Sequence, residues 1–396
     1  MESDPTAVLG ELVRRTRDTA PGDLAPLVAE CAAAVGLTDA VIYLADYGQS
    51  RLIPIPYPGM PPRLALGVDG TLAGRAYRTG ATHLSESDGH RLWLPLSEGS
   101  ERLGVLEVTL GDEVPAERVE AVRPGAEDFA DVVAALLVTR WAYGDVFELV
   151  RRVRPMRLPA EIQWRLLPPT TMRAGRVSLS GLLEPWDEVG GDAFDYALND
   201  GRLHVALFDA MGHGLAATLL ATLAVGAYRN ARRRHESLPR TYEAIDMAIA
   251  AQYGREQFVT GLLLDLDVRT GLLRWISAGH LPPLLIRHER QVTLPPAKPA
   301  TPLGLRFTDG HAPVHSLQLE PGDRLVLYTD GVVEARRLGQ FFSDERLADF
   351  VIRAWAGDHT APEVLRRLIT SVLDHQDGVL QDDATLMLLE WGGPPV

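Results

Sequence analysis

The chain has 396 residues, of which 46% are hydrophobic and 23% charged, a balance typical of a folded globular protein rather than a disordered one. Its net charge of −14 argues against a nucleic-acid binder and against docking on an anionic membrane, since both would require a basic surface. The single cysteine, Cys31, excludes an intrachain disulfide and a thiolate metal centre. The acidic start lacks a secretory core and the longest apolar runs fall short of a membrane span, so we expect a cytoplasmic protein.

The first region, residues 1–126, alternates helix and strand signals. Asp23 can cap a helix over 23–35 that stops at Gly36, and two glycines bracket a short helix within 70–80. Runs rich in β-branched and aromatic residues predict strands at 40–45, 91–96 and 103–110. The pattern indicates an antiparallel sheet flanked by helices, of a size suited to one small α/β domain.

The second region, residues 127–169, is predicted to be a helical linker. Its apolar residues recur at helical spacing and resume after Gly144, before two prolines interrupt the pattern. One interpretation is a signalling helix that pairs with its copy in a homodimer. The other is a rigid spacer packed on either domain. We favour the first, although the heptad pattern is short and broken.

The third region, residues 170–396, is rich in strand signals. Residues 202–208 alternate apolar with other side chains, as a strand that faces a core would. Two apolar runs flank the turn 269–271 and predict a hairpin. Further strands are predicted at 323–330 and 384–391, and helices at 215–234 and 361–375.

Four acidic motifs lie at strand ends or tight turns in the third region. They are GGDAFD (190–195), FDAMGHG (208–214), YTDGVVEA (328–335) and QDDAT (381–385). Hard divalent cations such as Mg²⁺ and Mn²⁺ prefer carboxylate, carbonyl and water oxygens, and a neighbouring glycine lets the backbone approach closely. Taken alone, Asp209 or Asp330 would more often be an ordinary turn or cap residue, and Asp382 and Asp383 could simply start a surface strand. Their recurrence is better explained by a cation, because carboxylates gathered without one repel each other.

These motifs resemble, in their order, the bacterial stage II sporulation protein E type of PPM (protein phosphatase 2C-like) serine/threonine phosphatases. The resemblance begins at AEIQWRLLP (160–168) and continues through the four acidic motifs, SAGHLPPLL (277–285) and PLGL (302–305). It covers essentially all of the C-terminal domain, predicted over 170–396. The fold it implies is α/β: an αββα sandwich of two antiparallel sheets with two Mn²⁺ or Mg²⁺ ions at one end.

The resemblance also implies roles for single residues. Asp209 would bridge the two cations, the carbonyl of Ala210 would help to hold one, and Asp192 would lie beside the first cation, directly or through water. Asp330 and Asp382 would ligate the second cation, with the adjacent Asp383 as a further candidate. Gly191 and Gly331 would permit close backbone approach. A water between the cations would attack phosphorus in line, with no covalent phosphoenzyme.

The histidines receive no catalytic role. Eukaryotic relatives place a proposed general acid two residues after the bridging aspartate, where this chain has Met211, and their phosphate-binding arginine has no assignable counterpart. His213 is interpreted as a turn residue at the start of a helix, and His280 as a structural histidine. Leaving-group protonation would then fall to water.

The first region resembles a GAF sensory domain through its order of elements, the central GTLAGRAYRTG and the strand LGVLEVTL. Such domains bind a small molecule or serve only in dimerisation, and Cys31, in a predicted helix, is a poor site for a covalent chromophore. The family resemblance implies that the substrate is a phosphoserine or phosphothreonine protein, with a STAS-domain anti-sigma factor antagonist as the expected partner. Two alternatives stay open: a catalytically silent scaffold with a phosphatase fold, and a two-metal phosphohydrolase of small phosphoesters.

Overall fold

The structure is a computed structural model, and it divides the chain into two compact units, Met1–Pro155 and Met156–Val396. It describes residues 5–34, 37, 39–85, 91–110, 116–184, 190–294, 298–305, 312–337, 340–357, 359–376, 380 and 382–392. The predicted helix stop at Gly36 lies outside these ranges. None of the helices within them is both long and apolar enough to cross a membrane.

The N-terminal unit is built on one six-stranded sheet. Its strands are β1 (Asp39–Ala45), β2 (Arg51–Pro54), β3 (Leu66–Gly67), β4 (His83–Ser85), β5 (Arg91–Glu98) and β6 (Glu101–Thr109). They follow the order β3-β2-β1-β6-β5-β4, and every neighbouring pair is antiparallel. The helices are α1 (Pro5–Arg15), α2 (Leu24–Ala34), α3 (Leu72–Thr79), α4 (Ala116–Trp141) and α5 (Val146–Arg151), with short 3-10 helices at Thr16–Asp18 and Pro21–Asp23.

Strand β1 separates two hydrophobic cores because successive side chains of a strand point to opposite faces. Ile42 and Leu44 pack in the core that also contains apolar side chains of α2 and α4, including Cys31. Tyr43 and Ala45 face a smaller core that α3 covers. The sheet predicted for this region, with a helix on the segment 70–80, is therefore present.

Helix α4 occupies part of the segment predicted as a linker. It begins at Ala116, inside the region assigned to the first domain, and continues through Pro124. Phe129, Val133 and Leu137 are buried in the core beneath the sheet, and this burial accounts for the helix being part of the unit. The boundary between the two units, after Pro155, falls inside the predicted linker.

The C-terminal unit contains two large antiparallel sheets. Its helices are α6 (Leu158–Leu166), α7 (Gly214–Arg233), α8 (Leu238–Tyr253), α9 (Asp330–Val333), α10 (Asp344–Ala356) and α11 (Ala361–His375). Its strands are β7 (Thr171–Ala174), β8 (Val177–Glu184), β9 (Asp192–Asn199), β10 (Arg202–Ala210), β11 (Val259–Asp267), β12 (Leu272–Ala278), β13 (Leu284–Arg287), β14 (Arg290–Val292), β15 (His315–Gln318), β16 (Asp323–Tyr328), β17 (Arg336–Arg337), β18 (Gln340–Phe341) and β19 (Ala384–Trp391).

The side-chain alternation of these strands produces four layers. One sheet has the order β15-β12-β11-β10-β9 and the other β14-β13-β16-β19-β8-β7. From β10, Val205 and Leu207 enter the core between the sheets, whereas Phe208 packs towards α7 and α8. From β19, Met387 enters the same central core and Leu388 packs towards α10 and α11. The predicted fold class, α/β with antiparallel sheets and helices outside them, is confirmed.

Candidate metal site

The four acidic motifs meet at one edge of the two sheets. In the first sheet Asp192 begins β9 and pairs across the ladder with Asp209, near the end of β10. In the second sheet Asp330 begins α9, which follows β16, and Asp383 directly precedes β19. Strands β16 and β19 are hydrogen-bonded neighbours, so their ends lie side by side. The topology therefore gathers carboxylates that lie up to 191 positions apart along the chain, the separation of Asp192 and Asp383.

Asp192 is buried and held by two hydroxyl groups. Its Oδ2 accepts hydrogen bonds from Thr329 Oγ1 at 2.7 Å and from Thr385 Oγ1 at 2.6 Å. Burial, followed by the charges of Asp209 and Asp383, raises the pKa of Asp192 well above its usual range. No arginine or lysine is among the groups that shift the pKa of Asp192. Its negative charge is stabilised by two neutral hydroxyl groups.

Asp209 is under the influence of three carboxylates that lie beside the ends of strands of the other sheet. Burial raises its pKa to about 7, and the charges of Asp330, Asp382 and Asp383 add to this effect. Three neighbouring carboxylates thus repel the negative charge of Asp209. A divalent cation would offset this repulsion.

A hydrogen-bond chain leaves one oxygen of Asp209 weakly held. Thr260 Oγ1 lies 2.8 Å from His280 Nδ1 but 3.5 Å from Asp209 Oδ2. His280 Nε2 lies 3.2 Å from the carbonyl of Tyr328, which fixes the proton on Nε2 and makes Nδ1 the acceptor for the Thr260 hydroxyl. Burial lowers the pKa of His280 to about 4, so the ring is neutral near pH 7. Asp209 therefore keeps acceptor capacity for a cation.

The two neighbouring aspartates before β19 have different surroundings. Asp383 is buried, and its Oδ2 accepts from the amide of Gly191 at 2.9 Å and from Gln163 Nε2 at 3.2 Å. Asp382 is exposed, and its Oδ1 accepts from the amide of Asp383 at 2.9 Å. Desolvation of the Asp382 carboxyl and the nearby Asp330 raise its pKa. Asp382 thus faces the other carboxylates from the solvent side, and Asp383 faces the protein.

Two glycines are required where the motifs approach each other. A Cβ on Gly191 would lie 2.7 Å from the carbonyl oxygen of Ala210, whose amide donates to Gly191 O at 3.1 Å. A Cβ on Gly331 would overlap the carbonyl oxygen of Asp383. Neither position tolerates a side chain without moving the backbone beside the aspartates.

The donor chemistry fits hard divalent cations. Carboxylates with raised pKa values and no basic partner among the groups that shift them are suited to Mg²⁺ or Mn²⁺, which bind oxygen ligands and retain several waters. Within the described ranges no group of three or more His, Cys, Asp or Glu side chains is arranged to hold a metal ion by itself. Water and carbonyl oxygens would therefore have to complete the coordination.

One aspartate of the first motif has a different function. Asp195 is buried and binds Arg229 Nη2 at 2.8 Å and Arg232 Nη1 at 2.7 Å, both from α7. It is neutralised inside the protein and attaches α7 to β9. His213 takes the N-cap position of α7 and is exposed, and Met211 is exposed in the preceding turn.

The sequence motifs contained residues to which no role was assigned. Thr329, Thr385 and Gln163 all contact the aspartates, and all lie within stretches that carry the family resemblance. Thr329 and Thr385 could have been noticed as polar residues next to, or within, apolar strands, whereas Gln163 lies in a helix of mixed polarity with no such signal. Their contacts depend on strands and a helix that are distant in sequence, so the motif alone could not assign them.

Comparisons with known proteins find one matching family and several similar proteins. Residues 199–392 match the Stage II sporulation protein E (SpoIIE) family. Protein IcfG of Synechocystis sp. is 26% identical over 265 residues, 57% of this chain and 40% of the relative. Phosphoserine phosphatase RsbU of Bacillus subtilis is 22% identical over 241 residues, 59% of this chain and 69% of the relative. The chain thus covers less than half of IcfG and about two thirds of RsbU.

Two solved structures are also similar. The RsbU and RsbW domains of a Mycobacterium tuberculosis protein share 26% identity at a TM-score of 0.47, over 56% of this chain and 63% of that one. The PP2C phosphatase domain of SpoIIE from Bacillus subtilis, with a fragment of its regulatory domain, shares 19% identity at a TM-score of 0.48, over 55% and 64%.

Proposed function

Residues 199–392 belong to the Stage II sporulation protein E family, and from this premise we propose that the chain is a metal-dependent protein serine/threonine phosphatase. The observation that carries the proposal is the meeting of carboxylates from both sheets around Asp209. The pKa of Asp209 is raised to about 7 by burial and by three other aspartates. A cluster of this kind is costly to the folded protein unless a cation occupies it.

Two cations, when bound, would polarise the phosphoryl oxygens and lower the pKa of the attacking water. The assignment of residues to them follows the family pattern, with Asp209 between the two ions. The remaining ligands proposed are Asp192 and the Ala210 carbonyl at the first ion, and Asp330 and Asp382 at the second. We rank Asp383 last, because its Oδ2 already accepts hydrogen bonds from Gly191 and Gln163.

The chain's own residues orient these ligands. Thr329 and Thr385 fix one oxygen of Asp192, and the neutral His280 draws the Thr260 hydroxyl away from Asp209. We assign protonation of the leaving group to water. His280 is buried, and Met211 offers no proton at the position of the general acid found in eukaryotic relatives.

For the substrate we propose phosphoserine or phosphothreonine on a signalling protein, with a STAS-domain anti-sigma factor antagonist as the first candidate. The name of the relative RsbU, a phosphoserine phosphatase, supports this class. We further propose that the N-terminal unit is a GAF-like sensor, supported by its six-stranded antiparallel sheet with helices. Its ligand, the homodimer and the cytoplasmic location stay predictions.

The test is phosphate release from a phosphoserine STAS-domain protein by the full chain with Mn²⁺. Asp209→Asn removes the proposed bridging carboxylate and should lower the rate roughly 10³-fold, since cation stabilisation contributes several kcal/mol. The matched control is Asp200→Asn, the same charge change in the exposed turn between β9 and β10, and it should leave the rate unchanged.

Undiminished activity of Asp209→Asn would contradict the metal assignment. If calorimetry detects no Mn²⁺ binding by the wild-type chain, the scaffold alternative would be favoured. Faster turnover of p-nitrophenyl phosphate than of the phosphoprotein would favour the alternative that acts on small phosphoesters.

A further inference from the structure

Gln163 is a buried amide beside the aspartates that belongs to neither sheet. It lies in α6, the first helix of the C-terminal unit, and only 1% of its surface is exposed. Its Nε2 donates to the carbonyl of Asp192 at 2.8 Å and to Asp383 Oδ2 at 3.2 Å. Both partners are acceptors, so the NH₂ group of the Gln163 amide, and not its oxygen, must face them.

The other end of the same amide has no hydrogen bond to a described residue. Gln163 Oε1 is buried without a partner in the part of the chain that the structure describes. An unsatisfied buried acceptor is unfavourable, and a methionine would fill the same space without it. What distinguishes glutamine from methionine at this position is therefore its two donated hydrogen bonds, not the space that it fills.

The contacts of Gln163 lie where the two sheets are joined. Asp383, just before β19, also accepts from the amides of Gly191 and Asp192 at the start of β9, at 2.9 and 3.4 Å. Asp383 Oδ2 thus binds the first residues of a strand in the opposite sheet, and Gln163 bridges that carboxylate to the next carbonyl of the same strand. The position of Asp192 depends on this junction.

Helix α6 is itself attached to the rest of the unit. The carbonyl of Leu166, at its C-terminal end, accepts from Arg229 Nη2 at 2.7 Å. The same guanidinium binds Asp195 in β9. The helix therefore presents Gln163 from a fixed support.

We propose that Gln163 is a positioning residue for the metal site. By holding Asp383 and the main chain of Asp192, it sets the placement of the Asp192 carboxylate relative to Asp209. In this role it would act through Asp383 and Asp192, not by contact with the substrate or the cations. The inference rests on the proposed metal-dependent function, and it adds a residue from outside the sheets to the support of the site.

The test compares Gln163→Met and Gln163→Glu with wild type in the full chain. The methionine keeps the volume and removes both donors, whereas the carboxylate places a like charge against Asp383. Ile162→Met, a partly buried neighbour on α6, is the control for a packing change in the same helix. Two quantities are measured: the Mn²⁺ dissociation constant by calorimetry, and amide hydrogen exchange at Gly191 and Asp192 in metal-free protein.

We expect Gln163→Met to weaken Mn²⁺ binding about ten- to hundredfold, the range for loss of a residue that supports metal ligands. Gln163→Glu should weaken it further. Exchange at the two amides should accelerate in both variants and not in Ile162→Met, and excess Mn²⁺ should restore the turnover of Gln163→Met.

Unchanged exchange at Gly191 and Asp192 in folded Gln163→Glu would overturn the inference, as would a Mn²⁺ affinity within twofold of wild type. The exchange measurement needs no metal. If the wild-type chain binds no Mn²⁺, the proposed function fails, and the amide exchange still decides whether Gln163 holds the start of β9.

Discussion

Glu107 in the N-terminal unit and the aspartates at the edge of the C-terminal sheets are all carboxylates in or near the protein interior, and they differ in the charges around them. Glu107, on β6, is 1% exposed and lies 3.2 Å from Arg63 Nε and 3.2 Å from Arg91 Nε. Tyr43 donates to its Oε2 at 2.8 Å. Among the described residues, the carboxylate of Asp192 accepts from two hydroxyl groups, and the charges that raise its pKa are those of Asp209 and Asp383.

The difference separates a structural ion cluster from a group of carboxylates that we propose binds an external cation. In the N-terminal unit the protein supplies the positive charge, so the charge of Glu107 is balanced by arginine when the chain folds. In the C-terminal unit it supplies more negative charge, and the pKa of Asp209 rises to about 7. Strand β9 contains both kinds of carboxylate. Asp195 lies three positions from Asp192 and forms ion pairs with Arg229 and Arg232.

The largest stability effect expected from this comparison is at Glu107. Glu107→Gln would leave Arg91 without its buried counter-charge and Arg63 with Asp39 alone, and we expect a loss of about 3–5 kcal/mol in the free energy of unfolding of the N-terminal unit. Urea denaturation followed by tryptophan fluorescence measures it. Asp69→Asn, which breaks an exposed ion pair with Arg78, should cost less than about 1 kcal/mol. Equal losses of unfolding free energy in Glu107→Gln and Asp69→Asn would contradict the view that Glu107 is the centre of a buried ion cluster.

The second effect has the opposite sign. In metal-free protein Asp209→Asn should raise the free energy of unfolding by roughly 1–4 kcal/mol near pH 8, because it removes a carboxylate that burial and three neighbours disfavour. Asp195→Asn should instead destabilise, since it leaves two arginines unpaired. Thermal unfolding with EDTA present measures both. A lower melting temperature for Asp209→Asn would mean that the cluster is already compensated without a cation.

The third effect is a pH dependence. The folded-state pKa of Asp209, about 7, lies above its ordinary value of 3.8, so the folded state binds the extra proton. The contribution of Asp209 to the stability of the metal-free protein should therefore be most favourable below about pH 4, fall as the pH rises towards 7 and level off above it. Mn²⁺ should suppress the fall by favouring the ionised form. Melting temperatures from pH 4 to 8, with and without Mn²⁺, test this; a fall of the same size in Asp209→Asn would assign it to other groups.

The smallest effect concerns a single hydrogen bond. Tyr43→Phe removes the hydroxyl that donates to Glu107 and leaves both arginines in place. We expect a loss of about 1.5–3 kcal/mol, the range for a hydrogen bond to a charged group. If the loss equals that of Glu107→Gln, the tyrosine and not the arginines compensates the carboxylate.

Much of the C-terminal fold was predictable because its strands are apolar, regular and marked at their ends. Residues 202–208 were assigned from alternation and residues 384–391 from a continuous apolar run, and both are strands of the sandwich. The early start of α4 was not predicted, and burial of the helix against the sheet carries it through Pro124. Helix α8 was not identified, although Pro239 in its first turn is a start signal.

The sequence by itself was enough to predict which residues carry the chemistry: four Asp-containing motifs and their glycines, with no catalytic cysteine or histidine. Their order along the chain was sufficient to indicate the family. Tertiary structure decided which carboxylates act together and which are neutralised. Asp192 and Asp195 are both buried aspartates of one motif, and only the position of α7 shows that Asp195 is paired with arginine. The physical reason is that a carboxylate's charge state depends on neighbours supplied by distant segments, which local sequence does not encode.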